Sequence, residues 1–205
     1  MTARVYKQSM DKIGIIILAA GDSSRLGRPK QLLPFGGKAL LAHIADAALE
    51  ATLDPVVVVT GASAAAVGET IKERRLTITY NPFWKEGMAS GIVAGLAELL
   101  SVQPDLRGAI VAVCDQPYLS ASLLGELVEQ FEVSGKGLVA CAYDGTLGTP
   151  VLFAARYFGE LSALSGAEGA KKLLKAHADD VQAIPFPKGS IDIDTEDDLK
   201  SLGRI

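Results

Sequence analysis

Apolar residues along the chain fall into runs of two kinds. Short runs rich in Ile and Val, such as IGIIILA and PVVVVT, alternate with longer segments of helical period, such as ALLAHIADAALEA and MASGIVAGLAELL. The first kind predicts strands over 13–19, 55–60, 76–80, 108–114, 137–142, 149–153 and 181–185. The second predicts helices over 39–51, 63–75, 88–100, 120–132, 166–178 and 195–203, with Ser63, Ser120 and Thr195 as candidate N-caps. Stretches as uniformly apolar as IIIL and VVVV need cover on both faces, which is the situation of parallel strands. The pattern therefore predicts repeated βα units: an α/β three-layer sandwich built on a Rossmann-like, mostly parallel sheet.

Composition narrows the class without changing the architecture. At 205 residues, 49% of them hydrophobic and 21% charged, the chain can bury a substantial core. No linker-like shift or solenoid repeat divides it, so one domain is expected over 13–205 after a polar extension at 1–12. The start MTARVYKQSMDK lacks a signal-peptide core, and no apolar run approaches the roughly 18 residues needed to span a bilayer. A cytoplasmic location is expected. The net charge of −4 gives no general attraction to nucleic acid or to an anionic membrane, so an anionic ligand has to be held locally. Cys114 and Cys141 lie inside apolar runs and read as buried thiols.

In such sheets ligands sit beyond the carboxyl ends of the strands, which selects a few loops. The first is GDSSRLGRPK, residues 21–30. It is not a Walker loop, because Gly21 and Gly27 are one residue too far apart and Arg28 follows. Bent around a polyphosphate, Gly21 and Gly27 would allow close backbone approach, Ser23 and Ser24 would donate hydrogen bonds, and Arg25 and Lys30 would supply fixed positive charge. The second is VCDQP, where Asp115 ends a buried strand and a hard divalent cation would offset its charge. In IDIDTEDDL, Asp192 and Asp194 alternate with Ile191 and Ile193. An extended segment would present both carboxylates on one side, with Asp194 the better candidate for a second ligand. Each loop also has a plain reading, as a solvated turn or a helix cap. His43 and His177 have no acid or Cys at ligand spacing, which argues against a zinc site or a Ser-His-Asp triad. Trp84 could line a pocket or pack a loop, and Lys171, Lys172 and Lys175 read as a solvated helix face.

Together, LAAGDSSRLGRPK, VCDQP and IDIDTEDDL resemble the nucleotidyltransferase superfamily with a GT-A-like Rossmann fold. Within it, VVTGA, NPFWKEGMASG, VCDQPYL, GTPVLF and SGAEGAKKLL are similar to the molybdenum cofactor cytidylyltransferases, a group that includes accessory proteins of xanthine dehydrogenase and other molybdenum hydroxylases. The resemblance spans nearly the whole chain. It implies transfer of CMP from CTP to the terminal phosphate of molybdopterin-bound molybdenum cofactor, with release of pyrophosphate, and a molybdenum hydroxylase as recipient. LAAG, rather than LAGG, points to the CTP-using branch.

Carried onto this sequence, the resemblance gives Gly21, Ser23, Ser24, Arg25 and Lys30 the triphosphate and Asp115 with Asp194 the Mg²⁺. Arg25, Lys30 and Asp115 would carry the catalysis. Leu18, Ala19, Ala20, Gly61, Asn81, Gly87 and Ser90 would surround the nucleoside. Three positions depart from the family pattern on the acceptor or base side: Thr149 in place of His, Ala167 in place of Asp, and Gly91 in place of Ser. The alternatives are a GTP-using enzyme, a sugar- or alcohol-phosphate nucleotidyltransferase, or a non-catalytic carrier of molybdenum cofactor.

Overall fold

The computed structural model describes residues 12–24, 26–166 and 169–193. The chain opens with β1 (Ile13–Ala19), then a two-residue hairpin of β2 (Pro34–Phe35) and β3 (Lys38–Ala39) that leads into α1 (Leu40–Glu50). It continues through β4 (Val56–Thr60), α2 (Ala64–Glu69), β5 (Thr77–Tyr80), α3 (Met88–Val102), β6 (Gly108–Val113) and α4 (Ala121–Ser134). A hairpin of β7 (Leu138–Tyr143) and β8 (Thr146–Ala154) follows, then α5 (Phe158–Ser162), α6 (Lys171–Ala176) and β9 (Val181–Pro185).

Seven strands form one sheet in the order β5-β4-β1-β6-β8-β7-β9. Every pairing in it is parallel except those of β8, which runs antiparallel to both β6 and β7. All seven strands expected from the apolar runs are present, so the mostly parallel three-layer sandwich is what the chain forms. The antiparallel strand has a local cause. Asp144 and Gly145 both have positive φ (48° and 70°), the backbone of a tight two-residue turn that folds β8 straight back on β7.

Alternation along the central strands divides the core. Ile15, Ile17, Val56 and Val58 face a layer containing α1 and α4, while Ile16, Val57 and Val59 face α3, α5 and α6. This two-sided burial is why those strands read as continuous apolar runs. The predicted helix over 63–75 stops at Glu69, and the one over 166–178 forms only as Lys171–Ala176. Lys171, Lys172 and Lys175 are exposed there, opposite buried Leu173 and Leu174. Ser120 caps α4, its Oγ accepting from the Leu123 N–H at 3.3 Å, whereas Ser63 precedes α2 without a side-chain bond. Thr195 and the helix expected over 195–203 lie outside the described residues, as do 1–11 of the polar extension.

Two features of this packing set up the site. The connection from β1 leads to β4 on one side, while β6 lies on the other, so strand order reverses between β1 and β6 and leaves a crevice at their carboxyl ends. A small separate cluster of Leu26, Leu33, Leu40 and Ile193, with Phe35 against it, fastens the loop after β1 to the segment at 191–193.

Helix α3 reaches the sheet only because of its glycines. A Cβ on Gly95 would lie 2.4 Å from Ile16 Cγ2 and 2.9 Å from Val59 Cγ2. Gly95→Ala should therefore destabilise the fold by about 1–3 kcal/mol through overpacking, even though Ala is the better helix former. A lower urea midpoint at unchanged m-value is the expected result.

Candidate active site at the β1 and β6 carboxyl ends

The loop after β1 is closed by its own backbone and one serine. Ser23, at φ 53°, accepts through its carbonyl from the N–H groups of Leu26 (2.9 Å) and Gly27 (3.2 Å), and its Oγ accepts from the Lys30 N–H at 3.0 Å. A single 3-10 turn, Lys30–Leu32, then sends Lys30 across the crevice. Its Nζ meets Asp115 Oδ2 at 2.5 Å, with the two side chains only 17% and 20% exposed. Each charge offsets part of the cost of taking the other out of water.

A glutamine stands behind each partner. Gln31 is buried, and its Nε2 donates to the carbonyls of Ala19 (2.9 Å) and Gly21 (3.0 Å), which ties the turn back to β1. Gln116 is also buried. Its Nε2 donates to Gly189 O at 2.7 Å and Thr149 O at 3.1 Å, with Tyr143 Oη at 3.4 Å. Sequence reasoning missed both residues. Each follows a charged residue already singled out, but a lone amide carries no periodic or spacing signal.

Two cavities meet at Asp115. The first, about 290 Å³, is lined by Leu18, Ala20, Gly21, Lys30, Asn81 and Gly87, together with Trp84 and Met88. The second, about 460 Å³, is lined by Gln116, Tyr143, Thr149, Lys171, Gly189 and Asp192 among others. Asp115, Val113 and Met88 line both.

Several of the expected residues also shape the walls from behind. Ala19 is buried, and Gly61 packs so closely that a Cβ would lie 2.5 Å from Ala20 O and 2.8 Å from Trp84 Cβ. The Asn81 side chain holds its own loop: Nδ2 donates to Ser90 Oγ at 2.8 Å and Oδ1 accepts from the Phe83 N–H at 2.9 Å. Ser90 Oγ also lies 2.8 Å from Phe83 O and 2.9 Å from Gly87 O. Ser24 is held by its N–H, which donates to Asp22 Oδ1 at 3.2 Å. Gly91 sits where α3 approaches β1, and a Cβ there would lie 3.2 Å from Leu18 Cδ2.

Arg25, Asp194 and Ala167 lie outside the described residues. Segment 191–193 comes to the site through the Ile193 N–H, which donates to Asp115 O at 3.3 Å. Ile193 is fully buried and Asp192 exposed, the alternation that the sequence predicts. Among the described residues no group of three or more His, Cys, Asp and Glu side chains could enclose a metal ion. The oxygen set that is present, Asp115 with Asp192 at the neighbouring cavity, suits Mg²⁺, which takes one or two carboxylates and completes its shell with phosphate and water.

Neither histidine lines either cavity. Burial and the nearby Lys38 ammonium lower the pKa of His43, and His177 pairs with Glu160 at 2.9 Å. That acid lies 17 positions away in the chain, so its proximity was not visible as a spacing.

A crevice at the strand-order reversal, with a clasped loop after β1 and an acid after β6, defines a nucleotide-handling α/β enzyme. The family model for the MobA-like NTP transferase domain matches residues 15–181. The chain belongs to that family and is a nucleotidyltransferase. It is 29% identical over 204 residues to the purine catabolism protein PucB of Bacillus subtilis, covering 92% of this chain and 95% of the relative. It is 39% identical over 114 residues to nicotine blue oxidoreductase of Paenarthrobacter nicotinovorans, but that match spans only 55% of this chain and 54% of the relative. Among solved structures, Rv0371c of Mycobacterium tuberculosis superposes with a TM-score of 0.80 at 30% identity, covering 96% of this chain and all of that one. Molybdopterin-guanine dinucleotide biosynthesis protein A of Archaeoglobus fulgidus, at 20% identity and a TM-score of 0.67 over 93% of this chain and 97% of its own, shares the fold.

Both cysteines are free and buried. Burial, with the Asp115 charge beside it, pushes the Cys114 thiol up to about 12, and burial with the Glu126 charge does the same for Cys141. Both should stay protonated and inert at neutral pH, although Cys114 lines the first cavity. A thiol-reactive disulfide at pH 8 should label neither in the native protein and both after denaturation.

Proposed function

We propose that the enzyme is a Mg²⁺-dependent cytidylyltransferase that transfers CMP from CTP to the terminal phosphate of molybdenum cofactor and releases pyrophosphate. The observation that carries this reading is the Lys30–Asp115 pair in the wall between two cavities. A transfer between two bound molecules needs such a geometry, one pocket for each and the charged groups where they meet.

In this reading the first cavity takes the nucleotide. Backbone amides of the Gly21 loop face the phosphates, and the small residues Ala20, Gly21 and Gly87 leave room for them. The Lys30 ammonium offsets the charge of departing pyrophosphate, and Arg25 on the same loop would add a second cation. The second cavity takes the acceptor, with Lys171 available to its phosphate and Tyr143 and Thr149 along its wall. An acceptor oxygen attacks the α-phosphorus, and the bond from that phosphorus to the bridging oxygen breaks as pyrophosphate leaves with the electron pair. A phosphate monoester is mostly dianionic at neutral pH, so the attacking oxygen carries no proton to remove, in keeping with cavities that no histidine lines.

Asp115, with Asp194 as the further carboxylate, would hold Mg²⁺. When bound, the ion would neutralise phosphate charge and orient the α-phosphate for in-line attack. A structure of the Mycobacterium tuberculosis relative is described as a complex with manganese, which supports a divalent ion here; that chain is 27% identical, with a TM-score of 0.75. The modified cofactor would pass to a molybdenum hydroxylase such as xanthine dehydrogenase.

The test is pyrophosphate release from each of the four ribonucleoside triphosphates with molybdenum cofactor and Mg²⁺. CTP should be preferred, and Asp115→Asn should lower turnover by at least about a hundredfold, the scale of losing a principal electrostatic group, in a variant whose circular dichroism at the assay temperature still shows the folded chain. Preference for GTP would overturn the nucleotide assignment, and unchanged turnover in Asp115→Asn the mechanism. Oxidation of a reduced nicotinamide nucleotide without pyrophosphate release would point to the reaction class in the name of the Paenarthrobacter relative.

A further inference from the structure

Gln31 and Gln116 make an unassigned pair. Each immediately follows one member of the Lys30–Asp115 ion pair, and each is nearly inaccessible, at 1% and 3% exposure. Each spends its amide N–H groups on oxygens of the surrounding frame, so the partners fix which end of the amide is nitrogen. In each, Oε1 is buried and meets no donor among the described residues. The role of each amide in this frame therefore lies in what its nitrogen fastens, and a buried N–H that lost those partners would cost about 1–3 kcal/mol.

What the two nitrogens fasten differs. Among the described residues, the Gln31 side chain donates to Ala19 and Gly21, and Gln31 lines the first cavity with Gly21 and Lys30. The Gln116 side chain donates to Tyr143, Thr149 and Gly189, all of which line the second cavity along with Gln116 itself. We propose that the two glutamines are positioning residues that divide the site: Gln31 fixes the triphosphate loop beside Lys30, and Gln116 fixes the acceptor walls at Tyr143, Thr149 and Gly189. The assignment of one cavity to each substrate rests on the reading given above; the separation of the two frames does not.

Gln31→Met and Gln116→Met keep side-chain length and remove the donor, while Gln116→Asn keeps the amide but shortens its reach. Isothermal titration of the purified full-length variants with the four Mg²⁺-triphosphates gives the first measurement. Gln31→Met should weaken binding of the preferred triphosphate about tenfold, the scale of lost hydrogen bonds to a charged ligand's cradle, and the Gln116 variants should leave it within about twofold. In steady-state assays with molybdenum cofactor, the Gln116 variants should raise the acceptor KM about tenfold and Gln31→Met should leave it unchanged. A general loss of structure would move both constants in every variant. Equal weakening of triphosphate binding by Gln31→Met and Gln116→Asn, or no weakening by either, overturns the division. If the wild-type chain binds a triphosphate but transfers nothing to molybdenum cofactor, the acceptor assignment fails, while the titrations still decide whether the frames are separate.

Discussion

The site depends on keeping two opposite charges, Lys30 and Asp115, together and mostly out of water. Separating such a pair without replacing either partner strands a charge in a poorly solvated crevice, at a cost of about 3–5 kcal/mol. The surrounding structure holds both charges from behind. Ser23 Oγ receives the Lys30 backbone N–H, Gln31 ties the turn to β1, and the Ile193 N–H reaches the Asp115 carbonyl. Under the proposed function, a bound metal-triphosphate would satisfy the same charges in exchange, its phosphates offsetting Lys30 and its cation offsetting Asp115. Charge compensation would then be conserved across binding, and the residues would need to move little.

The strands were legible because burial on both faces of a central sheet imposes long β-branched runs. Ile15 and Ile17 pack on one layer and Ile16 on the other, so no polar position interrupts them. The reversal of β8 was not legible from those runs. Their lengths carry no direction, and the turn at Asp144 and Gly145 lies between strands that the apolar pattern alone breaks off early. Helix ends were also poorly marked. The segment after Glu69 keeps helix-forming residues but turns instead, and the short α5 lies in a stretch with no helical period long enough to read.

Within the site, the sequence showed the charges and hid the frame. Lys30 and Asp115 stood out because ionic residues next to apolar strands need an explanation. Gln31 and Gln116 are uncharged and local in appearance, although Gln116 reaches Gly189, 73 positions away. Asn81 and Ser90 were expected from the family resemblance and not from a pattern of their own, and they bond to each other and to their own loop. Their contribution is a fixed wall beside Trp84 rather than exposed donors.

The walls of the two cavities offer glycines and side chains that tolerate change differently, which bears on how selectivity can change. At the first, Gly91 in the lining and Gly61 behind it admit neighbours that a Cβ would displace. A substitution there alters the path of the chain and with it the Lys30–Asp115 geometry. The second is walled by side chains, among them Tyr143, Thr149, Lys171 and Asp192. Thr149 and Lys171 can be exchanged while Gln116 keeps the frame in place through the carbonyls of Thr149 and Gly189; any residue at 149 would supply that carbonyl, whereas a Cβ at 189 would lie 2.5 Å from the Tyr143 and Phe186 rings. Thr149 is such a position: its carbonyl serves the frame, and it lines the second cavity, which the proposed function gives to the acceptor. Under the proposed function, side-chain changes on that side of Asp115 would retune the acceptor while the Lys30–Asp115 pair stays in place.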